Sequence, residues 1–268
     1  MLSAALQPVM ARAAAAIERG QAATAIDQLA PLLRNGASLA RADELAIRAA
    51  LAEAYLLQGD LTQAAAAVGR SPDNIREPIA PVILSNLWRA HGRIAFARGE
   101  QSRAIALHSR SLKQAETAHD SRAIGLAHFC LGQCYRKVGD VSIVREHIAE
   151  AAAALHAAGD RRCLAQVHSL SATTLAQSGR YEEAAAALRQ AERLASMIQA
   201  DDVLAMVYGN QANVALIRHR YDQALALAER AVALHEGIGQ GPGLSRCLAT
   251  LGQICVRLGN LERADTVL

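Results

Sequence analysis

A turn residue returns at the same point of a 40-residue frame seven times along this chain: Gly20, Gly59, Gly99, Gly139, Gly179, His219 and Gly259. The first step is 39 residues and the later ones are 40. Five residues after each turn stands a small residue: Ala25, Ala64, Ala104, Ala184, Ala224 and Ala264, with Val144 the exception. A fixed period in this range marks stacked supersecondary units, none of which can bury its own apolar face alone. Such an array grows in one dimension, so 268 residues need no single central core.

Each frame splits around its turn into two stretches with apolar residues at three- and four-residue steps, as in Leu45, Ala49, Ala52, Tyr55 and Leu56. That is the period of amphipathic helices. The apolar content is 52% but aromatics are only 3%. The core is therefore mostly Ala and Leu, which suits closely packed helices and not sheets. The expected helices are 3–18, 21–34, 40–57, 61–69, 81–97, 101–118, 121–137, 141–157, 161–177, 181–198, 201–217, 221–237, 243–257 and 261–268. They group into repeats at about 3–38, 39–78, 79–118, 119–158, 159–198, 199–238 and a truncated 239–268. The fold expected is all-α, a right-handed α-solenoid of about seven stacked helix-turn-helix units forming one array over 1–268. Gly59 can end a helix with a positive φ while Asp60 caps the next, and Gly139-Asp140 and Gly259-Asn260 repeat that chemistry. Two stretches read as loops within the array: 71–81 with its three prolines, and the glycine-rich 237–243.

Several frames resemble the tetratricopeptide repeat. Frame four reads AHFCLGQCYRKVGD, carrying Leu131, Gly132, Tyr135 and Gly139. Frame three supplies Trp88, Gly92, Gly99 and Ala104, and frame two Tyr55, Gly59 and Ala64. The usual period of that family is about 34 residues, so the 40-residue unit resembles the longer repeats of bacterial signalling and transcriptional regulators. Armadillo or HEAT repeats share the period but do not explain the mid-helix and turn glycines. The resemblance implies a non-catalytic scaffold that binds a protein or peptide and acts as the sensory or docking region of a regulator. Its output would be DNA binding or a diguanylate cyclase. The last frame stops eight residues into its second helix, so the chain is expected to be the N-terminal part of a longer protein, or to pair with a second copy through that end.

Enzymatic machinery is not expected. No nucleophile elbow, phosphate loop or zincin motif occurs, and no cofactor or metal is expected. His128 and His168 stand one repeat apart at the frame position of Trp88, Tyr208 and Leu248, which reads as a packing slot. Cys130 and Cys134 share a helical face but lack the second pair of a zinc site, so they read as buried thiols. The glycines at 237, 239, 241 and 243 follow a helix and lead to no Lys-Ser/Thr, unlike a phosphate loop. Glu182-Glu183 and Asp201-Asp202 suit helix starts, where negative charge favours the helix dipole. The five cysteines lie in helical patterns, pointing to a reducing, cytoplasmic compartment. The N-terminal stretch lacks a basic leader region, and no apolar run is long enough to span a membrane.

The resemblance places ligands on the face of the first helices. Carried over by frame position, the groove candidates are Glu53, Asn86, Arg89, Arg93 and Phe96, then Gln133, Arg136 and Lys137. Later frames add Gln166, Thr173, Gln177, Asn213, Gln253 and Arg257. Arginine forks grip carboxylates and amides hold peptide backbone, so an acidic or C-terminal-carboxylate peptide is the expected ligand. The family's Lys-Asn carboxylate clamp is not matched. The alternatives are a nucleic-acid-binding repeat, carried by Arg89, Arg93, Arg136 and Lys137, and a self-associating scaffold. A net charge of only +3 weighs against nucleic acid.

Overall fold

The computed structural model describes residues 2–34, 39–238 and 242–267. Among them the chain is helical throughout, and the helices pair as the period predicts. The first pairs are α1 (Gln7–Glu18) with α2 (Ala22–Arg34), α3 (Arg41–Gln58) with α4 (Leu61–Val68), α5 (Pro81–Ala97) with α6 (Gln101–Thr117), and α7 (Ser121–Val138) with α8 (Val141–Ala157). Then come α9 (Arg161–Gln177) with α10 (Tyr181–Met197), α11 (Asp201–Ile217) with α12 (Tyr221–Gly237), and α13 (Pro242–Arg257) with α14 (Leu261–Val267). The described residues form two compact units, one ending at Asp160 and one starting at Arg161. In the first, α3 packs on α1, α2, α4 and α5, while α5 packs on α6 and α7. In the second, α11 packs on α9, α10, α12 and α13. Within each unit a first helix thus meets its own partner and the first helices of neighbouring repeats. This is an α-solenoid of helix-turn-helix repeats.

The turns explain the frame. All seven turn residues have a positive φ, from 58° at His219 to 93° at Gly139. Gly59, at φ 83°, closes α3 with its N–H on Leu56 O, and Asp60 then accepts from Gln63 N at 2.9 Å. Asp140 and Asn260 cap Ile143 and Arg263 in the same way. His219 takes the left-handed backbone despite its Cβ, and its Nδ1 lies 2.8 Å from the Tyr221 hydroxyl. The same conformation recurs where one repeat passes to the next, at His119, Gly159 and Gln199.

Close helix approach accounts for the small residues. Ala25, Ala64, Ala104, Ala184 and Ala224 are fully buried, and so is Val144. Gly92 of α5 lies against the ring of His108 on α6, where an added Cβ would come within 2.5 Å of the ring. All five cysteines are buried free thiols, and burial pushes Cys134 up to about 12. Trp88 and Tyr208 are buried and His128 and His168 half-buried, each in the predicted slot. The exception to regularity is α4, which has 8 residues where α6, α8, α10 and α12 have 17. A loop with a 3-10 turn at Pro72–Asn74 follows it, as the prolines require. Residues 239–241 of the second predicted loop lie outside the described residues, and with them the glycines at 239 and 241. Among the described residues no helix is long and apolar enough to cross a membrane.

Two predictions follow from His108. Gly92→Ala forces the ring or α5 to move and should cost about 1–3 kcal/mol in urea unfolding. The penalty should shrink in the Gly92→Ala/His108→Ala double variant. Burial also lowers the pKa of His91, His108, His128, His147, His168 and His235, taking His108 to about 3. Below pH 6.5, the ordinary histidine value, the unfolded chain gains protons that the fold resists, so stability should fall with acid from there towards pH 3. His108→Leu, copying buried Leu188 at the same frame position two repeats further along the sequence, should flatten that decline while leaving stability near neutral pH similar. An unchanged slope would remove His108 as its source.

Candidate functional site

Numbering residues within the 40-residue frame shows why the groove candidates cluster. Positions 2, 6, 9, 13 and 16–17 of a first helix recur at helical steps and form one stripe. Position 13 is polar in every frame after the first: Glu53, Arg93 and Gln133 in the first unit, Thr173, Asn213 and Gln253 in the second. The first step being 39 residues, Ala14 occupies it in α1, exposed.

The first unit joins four of its candidates into one network. Glu53 of α3 is 8% exposed, and α5 delivers two arginines to it. Arg89 Nη1 donates to Glu53 Oε1 at 2.5 Å, and Arg93 Nη1 donates to Oε2. Arg89 Nη2 reaches Asn86 Oδ1 at 3.4 Å, the outer limit of a hydrogen bond. Burial pushes the Glu53 carboxyl up, but the two guanidinium charges outweigh it and hold it below the usual carboxylate value. The same arginines add to burial in keeping His108 neutral behind them. Glu53 is therefore the counter-charge of the arginines, and the triad keeps one net positive charge. Arg89 is nearly covered, while Arg93 keeps 37% of its side chain exposed.

The remaining candidates lie elsewhere on the first helices. Phe96 packs with Trp88, Ala104, Leu107 and Cys134, so its role is to seal α5 against α6 and α7. Gln133 and Arg136 on α7 are half-buried, and Lys137 is exposed in the last turn. In the second unit Gln166 is half-buried, and Thr173 bonds back to Leu170 O of its own helix. Asn213 accepts from Thr250 Oγ1 at 3.3 Å, linking α11 to α13. Gln177, Gln253 and Arg257 are exposed.

Residues that sequence reasoning passed over belong to the same stripe. At position 2, Arg162 gives both guanidinium nitrogens to Asp202 of the next first helix. Arg122 occupies that position in α7, with its Nε on Asp160 at 2.7 Å. At positions 9 and 10, Ser169 accepts from Asn210 at 2.7 Å. Extending the stripe by one turn towards the helix start finds the arginines. A second polar set needs tertiary structure to be seen: Gln211 on Glu192 Oε2, and Arg230 stacked 4.1 Å over the Tyr208 ring while donating to its hydroxyl.

Removing the Glu53 carboxylate strands two arginines beside a covered face. Glu53→Ala should destabilise the chain by about 3–5 kcal/mol. Loss of the exposed Arg41–Glu44 pair should cost under about 1 kcal/mol. Parallel urea titrations compare the two.

Comparison with known proteins places this geometry. Tetratricopeptide repeat family models match residues 165–196 and 203–268. No curated protein matches the sequence. Among solved structures, a Rap protein complexed with competence and sporulation factor superposes with a TM-score of 0.77 at 13% identity, covering 98% of this chain and 74% of that one. NprR in complex with its cognate peptide NprX gives 0.67 at 14% identity over 87% and 68% of the two chains. The apo quorum sensor NprR from B. thuringiensis gives 0.66 at 13% identity over 98% and 74%. At such identities the likeness speaks for the fold. The matched models lie over α9 to α14, so residues 165–196 and 203–268 carry tetratricopeptide repeats.

Proposed function

We propose that this chain is a non-catalytic scaffold whose first-helix stripe holds a peptide or protein segment. The observation that carries the reading is the polar row at position 13, partly open to solvent at Arg93, Gln133, Thr173, Asn213 and Gln253. Side-chain amides can pair with a peptide backbone in any sequence context, and the net positive triad favours an acidic ligand. Two of the superposing structures were solved with peptide or factor bound, which supports the same use of the fold here. The likeness to a quorum sensor supports a place in signalling, as the docking arm of a regulator with a DNA-binding or diguanylate cyclase output. Nucleic-acid binding draws less support, because Glu53 offsets half of the arginine charge on α5.

The test must respect Glu53. Reversing Arg89 to Glu would press a second carboxylate onto a buried one and unfold the chain whatever it binds. The informative variants are Arg93→Ala, Gln133→Ala and Asn213→Ala. Peptides selected from a random display library on the folded chain should bind these variants about tenfold or more weakly, with helical circular dichroism unchanged. Equal binding to all three, or a library that yields no binder, would overturn the assignment.

A further inference from the structure

We infer that Arg122 is a carboxylate-binding residue of the first unit's stripe, and that Glu18 is its internal occupant, displaced when an acidic ligand arrives. The inference rests on the peptide reading above and adds to it a residue and a competing group.

Solenoid repeats ordinarily touch only their neighbours. The packed helix pairs of this unit follow that rule, with α1 on α2 and α3, and α7 on α5, α6 and α8. One ion pair breaks it. Glu18, the last residue of α1, accepts through Oε1 from Arg122 Nη2 of α7 at 3.1 Å, across 104 residues and three repeats.

Arg122 is built to receive a carboxylate there. Its Nε is held at 2.7 Å by Asp160, whose side chain is only 7% exposed, so the guanidinium plane is set from one side. Arg162, at the same frame position, has both nitrogens taken by Asp202 of the following first helix. In the sequence the residue 40 places on from Arg122 is Arg162, a base and not an acid. The Glu18 carboxylate of α1 reaches Arg122 Nη2. Both members of that bridge are open to solvent, 45% and 50% exposed, so the pair is weak and readily exchanged, while the buried Asp160 contact persists. A ligand carboxylate offers the same fork-to-fork contact without reaching across three repeats.

Spin labels at Arg19→Cys and Ser121→Cys read the bridge without any ligand, since the native thiols are buried. The native chain should show a narrow, short distance that lengthens or broadens in Glu18→Gln and in high salt. A distribution indifferent to Glu18→Gln overturns the bridge. Acetylated pentaglutamate amide, followed by fluorescence anisotropy, reads the site. It should bind Glu18→Gln about two- to fivefold more tightly than the native chain. Arg122→Gln should weaken it about tenfold or more, with Arg122→Lys recovering part of the loss. Equal binding to the native chain and Arg122→Gln, or no binding at all, overturns the assignment of Arg122. The scaffold reading would fall only if library-selected peptides also failed, so the two failures are told apart.

Discussion

Close contact between paired helices is the constraint on which the rest of this protein depends. Helices can approach closely only where side chains are small, and the chain supplies that condition once per repeat, from Ala25 to Ala264. Dispersion contacts fall away steeply with distance, so a gap of a fraction of an ångström forfeits much of the attraction. The positive-φ turn and the small residue five places later therefore act together. One reverses the chain and the other lets the returning helix settle. Where the small residue is replaced by Val144, the site remains fully buried, so the pair of α7 and α8 absorbs two extra methyl groups. Where Gly92 omits the side chain altogether, the neighbour is the large ring of His108, and volume is conserved across the pair.

That packing also decides the electrostatics. A chain with so few aromatics has little apolar bulk to spare, and the first unit fills part of its interior with Glu53, Arg89 and the neutral His108. Buried ions are tolerated when paired and hydrogen-bonded, and the two α5 arginines supply both conditions to one carboxylate. The consequence is that recognition and folding share residues on α3 and α5. Arg89 belongs chiefly to the fold, Arg93 stands at the boundary with solvent, and Gln133 is free of the pairing that ties them. In the second unit the stripe is mostly uncharged, and its links are amide and hydroxyl contacts such as Asn210 to Ser169 and Asn213 to Thr250.

Much of the architecture was legible in the amino-acid order. The period, the turn residues and the caps at Asp60, Asp140 and Asn260 are local features, each governed by a few consecutive residues. Helix ends such as 141–157 and 161–177 follow from those signals directly. The start of α1 is later than the apolar pattern suggests, at Gln7, because Pro8 is best placed in a helix's first turn. The shortening of α4 was visible in the prolines of the 71–81 stretch that follows it. The stripe, too, was readable as a set of frame positions, although its first turn, with Arg122 and Arg162, was missed.

What the sequence determined by itself is the repeat: its length, its two helices, its turn and the face on which polar residues gather. Periodicity is a local property, repeated, and needs no knowledge of distant contacts. Only the tertiary structure decided which of those polar residues are spent on one another. Glu53 and Arg93 are 40 residues apart, His128 meets His147 at 2.9 Å from a different helix, and Glu18 reaches Arg122 across three repeats. Whether a charge is a counter-ion or a binding group depends on distances between helices, and those are set by the small residues that let the helices close.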